Sequence, residues 1–223
     1  MSGLIQVINP NSNRAVTAAI DLAMDPFRSV DGPKIECIGL DQGPIGIETQ
    51  GDCDKASVLV TEHIRRNESA ADAFVIACYS DPGAIAAKEV TTKPVIGSAR
   101  AALATAAGLG ARAGVISILD VAVPRHWRLA REAGLDAMIA ADLPIGLHVA
   151  ELADETKARD RIMETGRRLL SDHGAQMLIL GCAGMARYRA PLEQELGVTV
   201  IDPTHAATAM AIALLRLRRA DNR

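Results

Sequence analysis

The chain has 223 residues, of which 49% are hydrophobic, and a formal net charge of −3; that is enough for one packed α/β domain or two small ones. The weak negative balance offers no basic field, which argues against a nucleic-acid partner and against an anionic membrane surface, and leaves small-molecule chemistry. There is no basic leader with an apolar run behind it and no stretch of about 18 apolar residues, so the expectation is a cytosolic protein with no membrane partner. Four cysteines with no Cys-x-x-Cys spacing are read as free thiols, neither a disulfide framework nor a metal site.

Leu4 to Ile8 is a short apolar strand running into the turn residues Asn9-Pro10-Asn11-Ser12-Asn13. An alanine-rich helix is predicted from Asn13 to Met24 with an Asn or Ser cap. Lys34 to Ile38 carries Cys37, a thiol expected in the core. The Pro/Gly-rich stretch from Asp41 to Asp52 is expected to be a loop that acts as a flap near a cleft, and Cys53 beside it is expected to be exposed and without a role. Asp54 to Asn67 places Val58, Val60 and Ile64 at helical spacing.

The apolar run Ala73 to Ala77 is a strand closing on Cys78, and Ser80-Asp81-Pro82-Gly83 after it supplies a cap and a first-turn proline for a downstream helix. Pro94 to Gly97 is a further strand, and Ala99 to Leu109 a nearly apolar, buried helix. Gly114 to Asp120 opens a second half as Leu4 to Ile8 opens the first. Glu151 to Leu170 is helical, Met177 to Leu180 is a strand leading to Gly181 and Cys182, Val198 to Asp202 is the last strand, and Ala206 to Leu217 the last helix. The basic end of that helix, Arg216, Arg218 and Arg219, suits the helix dipole and needs no function.

Two offsets organise this list. Cys78 and Cys182 are 104 positions apart, and the strand-turn-helix units that follow them are 105 apart. Near-equal offsets point to duplication of one α/β unit. The expected fold class is therefore α/β, two similar three-layer halves with mostly parallel sheets related by a pseudo-twofold duplication, with the active site in the cleft between them. The expected division is 1–98 plus 204–223 for the first half and 99–203 for the second.

A thiol at the carboxyl end of a strand stands where open α/β sheets gather their ligands. Two such thiols can face one substrate carbon from opposite sides, one removing a proton and the other returning one, so that inversion follows without a cofactor. Free cysteine is usually a small buried hydrophobe; the matched positions of Cys78 and Cys182 set them apart from Cys37 and Cys53. A helix N-terminus downstream favours the thiolate, and Ala183-Gly184-Met185 lets backbone N–H groups approach a developing enolate oxygen. Asn9, Asn11 and Asn13 are turn formers that can also donate hydrogen bonds at a strand's carboxyl end. Tyr79 and Tyr188 lie near the thiols in sequence and can wall an apolar substituent or pack the core. His205, at a strand-to-helix turn, is either a cap or a site residue. His63, His126, His148 and His173 are expected to face solvent.

Asn9-Pro10-Asn11-Ser12, Cys78-Tyr79-Ser80-Asp81-Pro82-Gly83 and Gly181-Cys182-Ala183-Gly184-Met185, in this order and spacing, resemble the hydantoin and allantoin racemase branch of the aspartate/glutamate racemase superfamily. The Cys-Asn-Thr and Cys-Thr-His of the glutamate racemase branch are not found at these thiols. The resemblance implies cofactor-independent racemisation by two thiols, with no metal, and a homo-oligomer. It matches Cys78 and Cys182 to the acid/base cysteines, Asn11 to a pocket-lining residue, and Ser117 to the first hydroxyl of a Val-Thr-Thr pattern whose second hydroxyl is replaced by Ile118. Where the family has Gly-Ile-Gly-Glu-Ala this chain has Ile96-Gly97-Ser98-Ala99-Arg100; the acidic residue is absent and Arg100 is close by, which implies a more anionic substrate. Tyr79, Ser80, Ser98, Gly181, Ala183, Gly184 and His205 complete the candidate binding set. The expected activity is racemisation of a 5-substituted hydantoin or allantoin. An amino-acid racemase or a cysteine-dependent decarboxylase or isomerase is the alternative enzyme, and a small-molecule binding protein the alternative without catalysis.

Overall fold

The structure is a computed structural model and describes residues 3–220. Its central strands are short runs that are largely apolar on both faces, as parallel sheets covered by helices require. Ile5, Val7 and Ile8 in β1 (Leu4–Asn9) and all of Ala73–Ile76 in β3 are fully buried. With β2 (Lys34–Gly39) and β4 (Val95–Gly97) they form a parallel sheet in the order β2-β1-β3-β4. The second sheet repeats that order as β6-β5-β7-β8, from β5 (Ala113–Ser117), β6 (Ile139–Pro144), β7 (Met177–Leu180) and β8 (Val200–Ile201). β7 thus occupies in the second sheet the place of β3 in the first, and Cys78 and Cys182 each lie two residues past the end of equivalent strands.

Helices cover both faces of each sheet. Ile20 and Met24 at the end of α1 (Arg14–Ala23) and Ala207 and Ala211 of α7 (Pro203–Ala220) pack on one face of the first sheet, and Val60 and Ile64 of α2 (Gln50–Asn67) on the other. The second sheet is held between α3 (Ser98–Gly108) with α4 (Val123–Glu132) and α5 (Glu155–His173) with α6 (Arg189–Leu196). The result is two duplicated three-layer α/β halves. No described helix is long and apolar enough to cross a membrane.

Local chemistry moved several boundaries. α2 starts at Gln50 because Thr49 and Asp52 form a reciprocal capping box: Asp52 N–H donates to Thr49 Oγ1 at 3.1 Å and Thr49 N–H to Asp52 Oδ2 at 2.9 Å. The expected exposed loop cysteine, Cys53, is therefore in a helical turn and buried. α5 starts after the cap Asp154, and Val149–Ala153 is a separate short turn. Asp81 does not cap a helix of its own segment, where residues 79–84 are turns. It accepts from Ala99 N at 2.8 Å and Arg100 N at 3.1 Å, capping α3 from across the sheet. That role holds Asp81 at φ 45°, a costly conformation kept by its surroundings. It also explains Gly97, where a Cβ would fall 2.2 Å from the Asp81 carboxyl carbon. Burial pushes the Asp81 carboxyl up to about 6 against the pull of those N–H donors.

Candidate active site

Both cysteines open into one cavity between the sheets. Its walls come from the turns after β1, β3, β5 and β7: Asn11; Cys78, Tyr79 and Ser80; Ile118; Gly181, Cys182, Ala183 and Gly184. Gly181 is required at the turn because its N–H donates to Ile116 O at 2.8 Å and a Cβ would meet that oxygen at 2.7 Å. Each sulfur is met by the backbone N–H two residues downstream, Ser80 for Cys78 and Gly184 for Cys182, a matched pair of anion-favouring contacts. Burial outweighs them, pushing Cys78 up to about 12 and Cys182 up to about 11, so both rest as thiols at neutral pH.

Asn11 is oriented by its neighbours. Its Oδ1 accepts from Asn13 N and Asn9 Nδ2, each at 2.9 Å, which leaves its amide hydrogens for a ligand. Asn13 caps α1. Three expected site residues lie elsewhere. Ser98 is buried at the start of α3, its hydroxyl unpartnered among the described residues. His205 donates from Nε2–H to Ala23 O at 2.8 Å and its ring lies tilted against Phe27, which ties α7 to α1. Ser117 is fully buried behind the wall, hydrogen-bonded to Asp142 and 3.2 Å from His126 Nδ1. Arg100, expected near the substrate, turns to Asp81 at 3.3 Å and Glu132 at 3.7 Å.

Two polar cavity residues were missed in the sequence, both on α4. His126 was expected in solvent; it is 3% exposed. Its Nδ1 lies 2.8 Å from Asp142 Oδ2, and its ring stands edge-on to Tyr79 at 4.9 Å, so Nε2 is the nitrogen left for a ligand. Arg125 beside it is equally buried. The only signal available was the strong apolar/polar segregation of Val123–Glu132, which no chemistry-bearing spacing accompanied.

The cavity is narrow, with about 30 Å³ of space open to water. It is closed by Ile47 from the loop 40–49 and Val149 from the turn after β6. One carboxylate fastens these segments: Glu48 accepts from Val149 N at 2.8 Å and lies 2.7 Å from His148 Nδ1. The flap expected at Asp41 to Asp52 is thus latched to the other half. The Glu48 hydrogen bond raises the exposed His148 above 6.5, so the ionic part of the latch is complete below that value and lost as pH rises through the raised one. Glu48→Gln is expected to speed amide hydrogen exchange in residues 40–49 and 145–153 by about tenfold at pH 6, with a smaller difference at pH 8.5.

Fold and site together define a duplicated α/β protein with a paired-thiol cleft. The chain belongs to the Asp/Glu/Hydantoin racemase family, whose pattern it matches over residues 5–211. It is 36% identical over 216 residues to the hydantoin racemase of Paenarthrobacter aurescens, covering 96% of this chain and 91% of that one. Among solved structures it is similar to the allantoin racemase of Klebsiella pneumoniae, with 35% identity, a TM-score of 0.90, and 96% and 88% of the two chains covered. The allantoin racemase of Pseudomonas fluorescens gives a TM-score of 0.91 at 28% identity, covering 96% and 91%.

Proposed function

We propose that this protein is an isomerase, a cofactor-independent racemase of a five-membered ureide ring, either a 5-substituted hydantoin or allantoin. The observation that carries the reading is the placement of Cys78 and Cys182 after equivalent strands of two duplicated sheets, opening into one cavity. The ring C5–H is flanked by a carbonyl and a nitrogen, so its carbanion is an enolate. One cysteine, as thiolate, removes the proton, and the other, as thiol, delivers one to the opposite face. Asn11 offers amide hydrogens to the enolate oxygen. His126, with Nδ1 directed at Asp142, presents Nε2 to a ring N–H. Tyr79, Ser80, Ile118, Gly181, Ala183 and Gly184 shape the pocket; Ser117 backs His126.

The names of the relatives support a small-molecule ring substrate. A division at 1–98 plus 204–223 and 99–203 is part of the same reading, since α7 packs on the first sheet and α3 on the second. So are a cytoplasmic setting and a homo-oligomeric state. The test is polarimetry on single enantiomers of allantoin and of methyl-, isobutyl- and benzylhydantoin against an enzyme-free blank. Loss of rotation accelerated at least about 10³-fold is expected; no acceleration on any ring would remove the proposal.

A further inference from the structure

The thiol cavity contains a cation in no direct ion pair: Asp52 feels its charge, but no carboxylate oxygen lies within 4 Å of it among the described residues. Arg125 is 5% exposed and is the only lysine or arginine among the described residues lining the cavity. Its Nε donates to Ser80 Oγ at 2.9 Å and its Nη2 to the Glu48 carbonyl at 3.3 Å. The neighbouring arginines of the adjoining outer pocket differ: Arg100 pairs with Asp81 and Glu132, and Arg128 meets Glu132 at 4.0 Å. A buried guanidinium keeps its charge at every pH where thiols titrate, and an unanswered buried charge is costly. A structural arginine would be expected to have a carboxylate beside it.

The proposed reaction supplies the missing anion, and in this the inference rests on the racemase reading. When one thiolate takes the C5 proton, the C–H electron pair becomes the enolate and an S–H bond forms. The second thiol then gives its proton to the opposite face and keeps the S–H electron pair. Once one of the two resting thiols has given its proton to solvent, one negative charge stays in the cavity through the proton transfers, on a sulfur, on the enolate, and on the other sulfur. We propose that Arg125 is the positioning residue for this charge, fixing it in the cavity through Ser80 and the Cys78 side of the pair.

The groups around Cys78 agree. Burial opposes its thiolate most strongly, Ser80 N–H favours it, Cys53 and Cys182 oppose it, and Arg125 favours it. The nearby carboxylates are turned to other partners, Glu48 to Val149 and His148, Asp52 to Thr49, and Asp81 to α3. His126 is paired with Asp142.

The test is the pH dependence of iodoacetamide alkylation at Cys78 in the folded protein, read peptide by peptide, for native, Arg125→Gln and Arg125→Lys. Alkylation depends on the thiolate and not on any substrate. Arg125→Gln is expected to move the Cys78 profile up by about one pH unit, which is about tenfold slower alkylation on its rising limb, and Arg125→Lys to restore most of the rate. The pH–rate profile of ring exchange is expected to move with it. An unchanged or faster Cys78 rate in Arg125→Gln, or a Lys variant as slow as the Gln variant, would overturn the assignment. Absence of ring exchange by native protein would instead count against the racemase reading, and the alkylation result would still decide the role of Arg125.

Discussion

Cys78→Ser and Cys182→Ser are each expected to abolish racemisation, by at least about 10³-fold, while each keeps part of its exchange chemistry toward one enantiomer. The reason is geometric. The two sulfurs come from equivalent turns of opposite halves and border one cavity; in the proposed mechanism each meets a different face of the ring carbon. A serine hydroxyl fits the space but does not ionise usefully. The variant that retains Cys78 should wash deuterium into C5 of one enantiomer, and the variant that retains Cys182 into the other. Fold stability should change little, since both cysteines border a cavity and a serine oxygen can accept from the same Ser80 and Gly184 N–H groups. Proton NMR in D2O with each pure enantiomer, beside a thermal unfolding scan, checks both statements. Loss of exchange toward both enantiomers in both variants would mean that the thiols do not act as separable bases.

Asp142→Asn is expected to lower kcat/KM by about 10²-fold with the fold intact. Asp142 is a buried carboxylate that takes hydrogen bonds from Ser117 and lies 2.8 Å from His126 Nδ1. In the proposed mechanism Nδ1–H is directed at the carboxylate and Nε2 accepts from a ring N–H. Asparagine keeps the shape and one acceptor but no longer selects that tautomer. His126→Ala should cost as much or more, with a loss of stability of about 1–3 kcal/mol because Asp142 and Ser117 are then left short of partners in the core. N-methylation of the ring N–H that meets Nε2 should lower native activity and leave His126→Ala nearly unchanged. If methylated and unmethylated rings respond alike in native and variant, His126 does not read the ring.

Much of the fold was legible because its signals are local. Short β-branched runs alternate with capped helices, and the offset of about 104 residues between halves shows as matched thiols in matched turns. The lining residues Asn11, Tyr79, Ser80, Ile118, Gly181, Ala183 and Gly184 were legible for the same reason, each being within a few residues of a strand end. What was not legible depended on contacts far apart in sequence. His126 and Asp142 meet across 16 positions, Asp81 and α3 across 18, Arg125 and Ser80 across 45, and Glu48 and His148 across 100. A histidine in a charged helix looks solvated until the sheet behind it provides a carboxylate. Arg100 shows the reverse error: near the site in sequence, it is held by Asp81 and Glu132. Cys53 was misplaced because a capping box extended α2 backward over a segment whose composition is that of a loop.

The two-thiol account is tested most directly by the isotope content of both enantiomers early in turnover of one pure enantiomer of the ring in D2O by native protein. Two separate bases predict that the newly formed enantiomer carries deuterium at C5 while the unconverted starting enantiomer still carries its proton. A new enantiomer that retains the original proton would mean that one group removes and returns it, and would contradict the assignment of Cys78 and Cys182 as a pair.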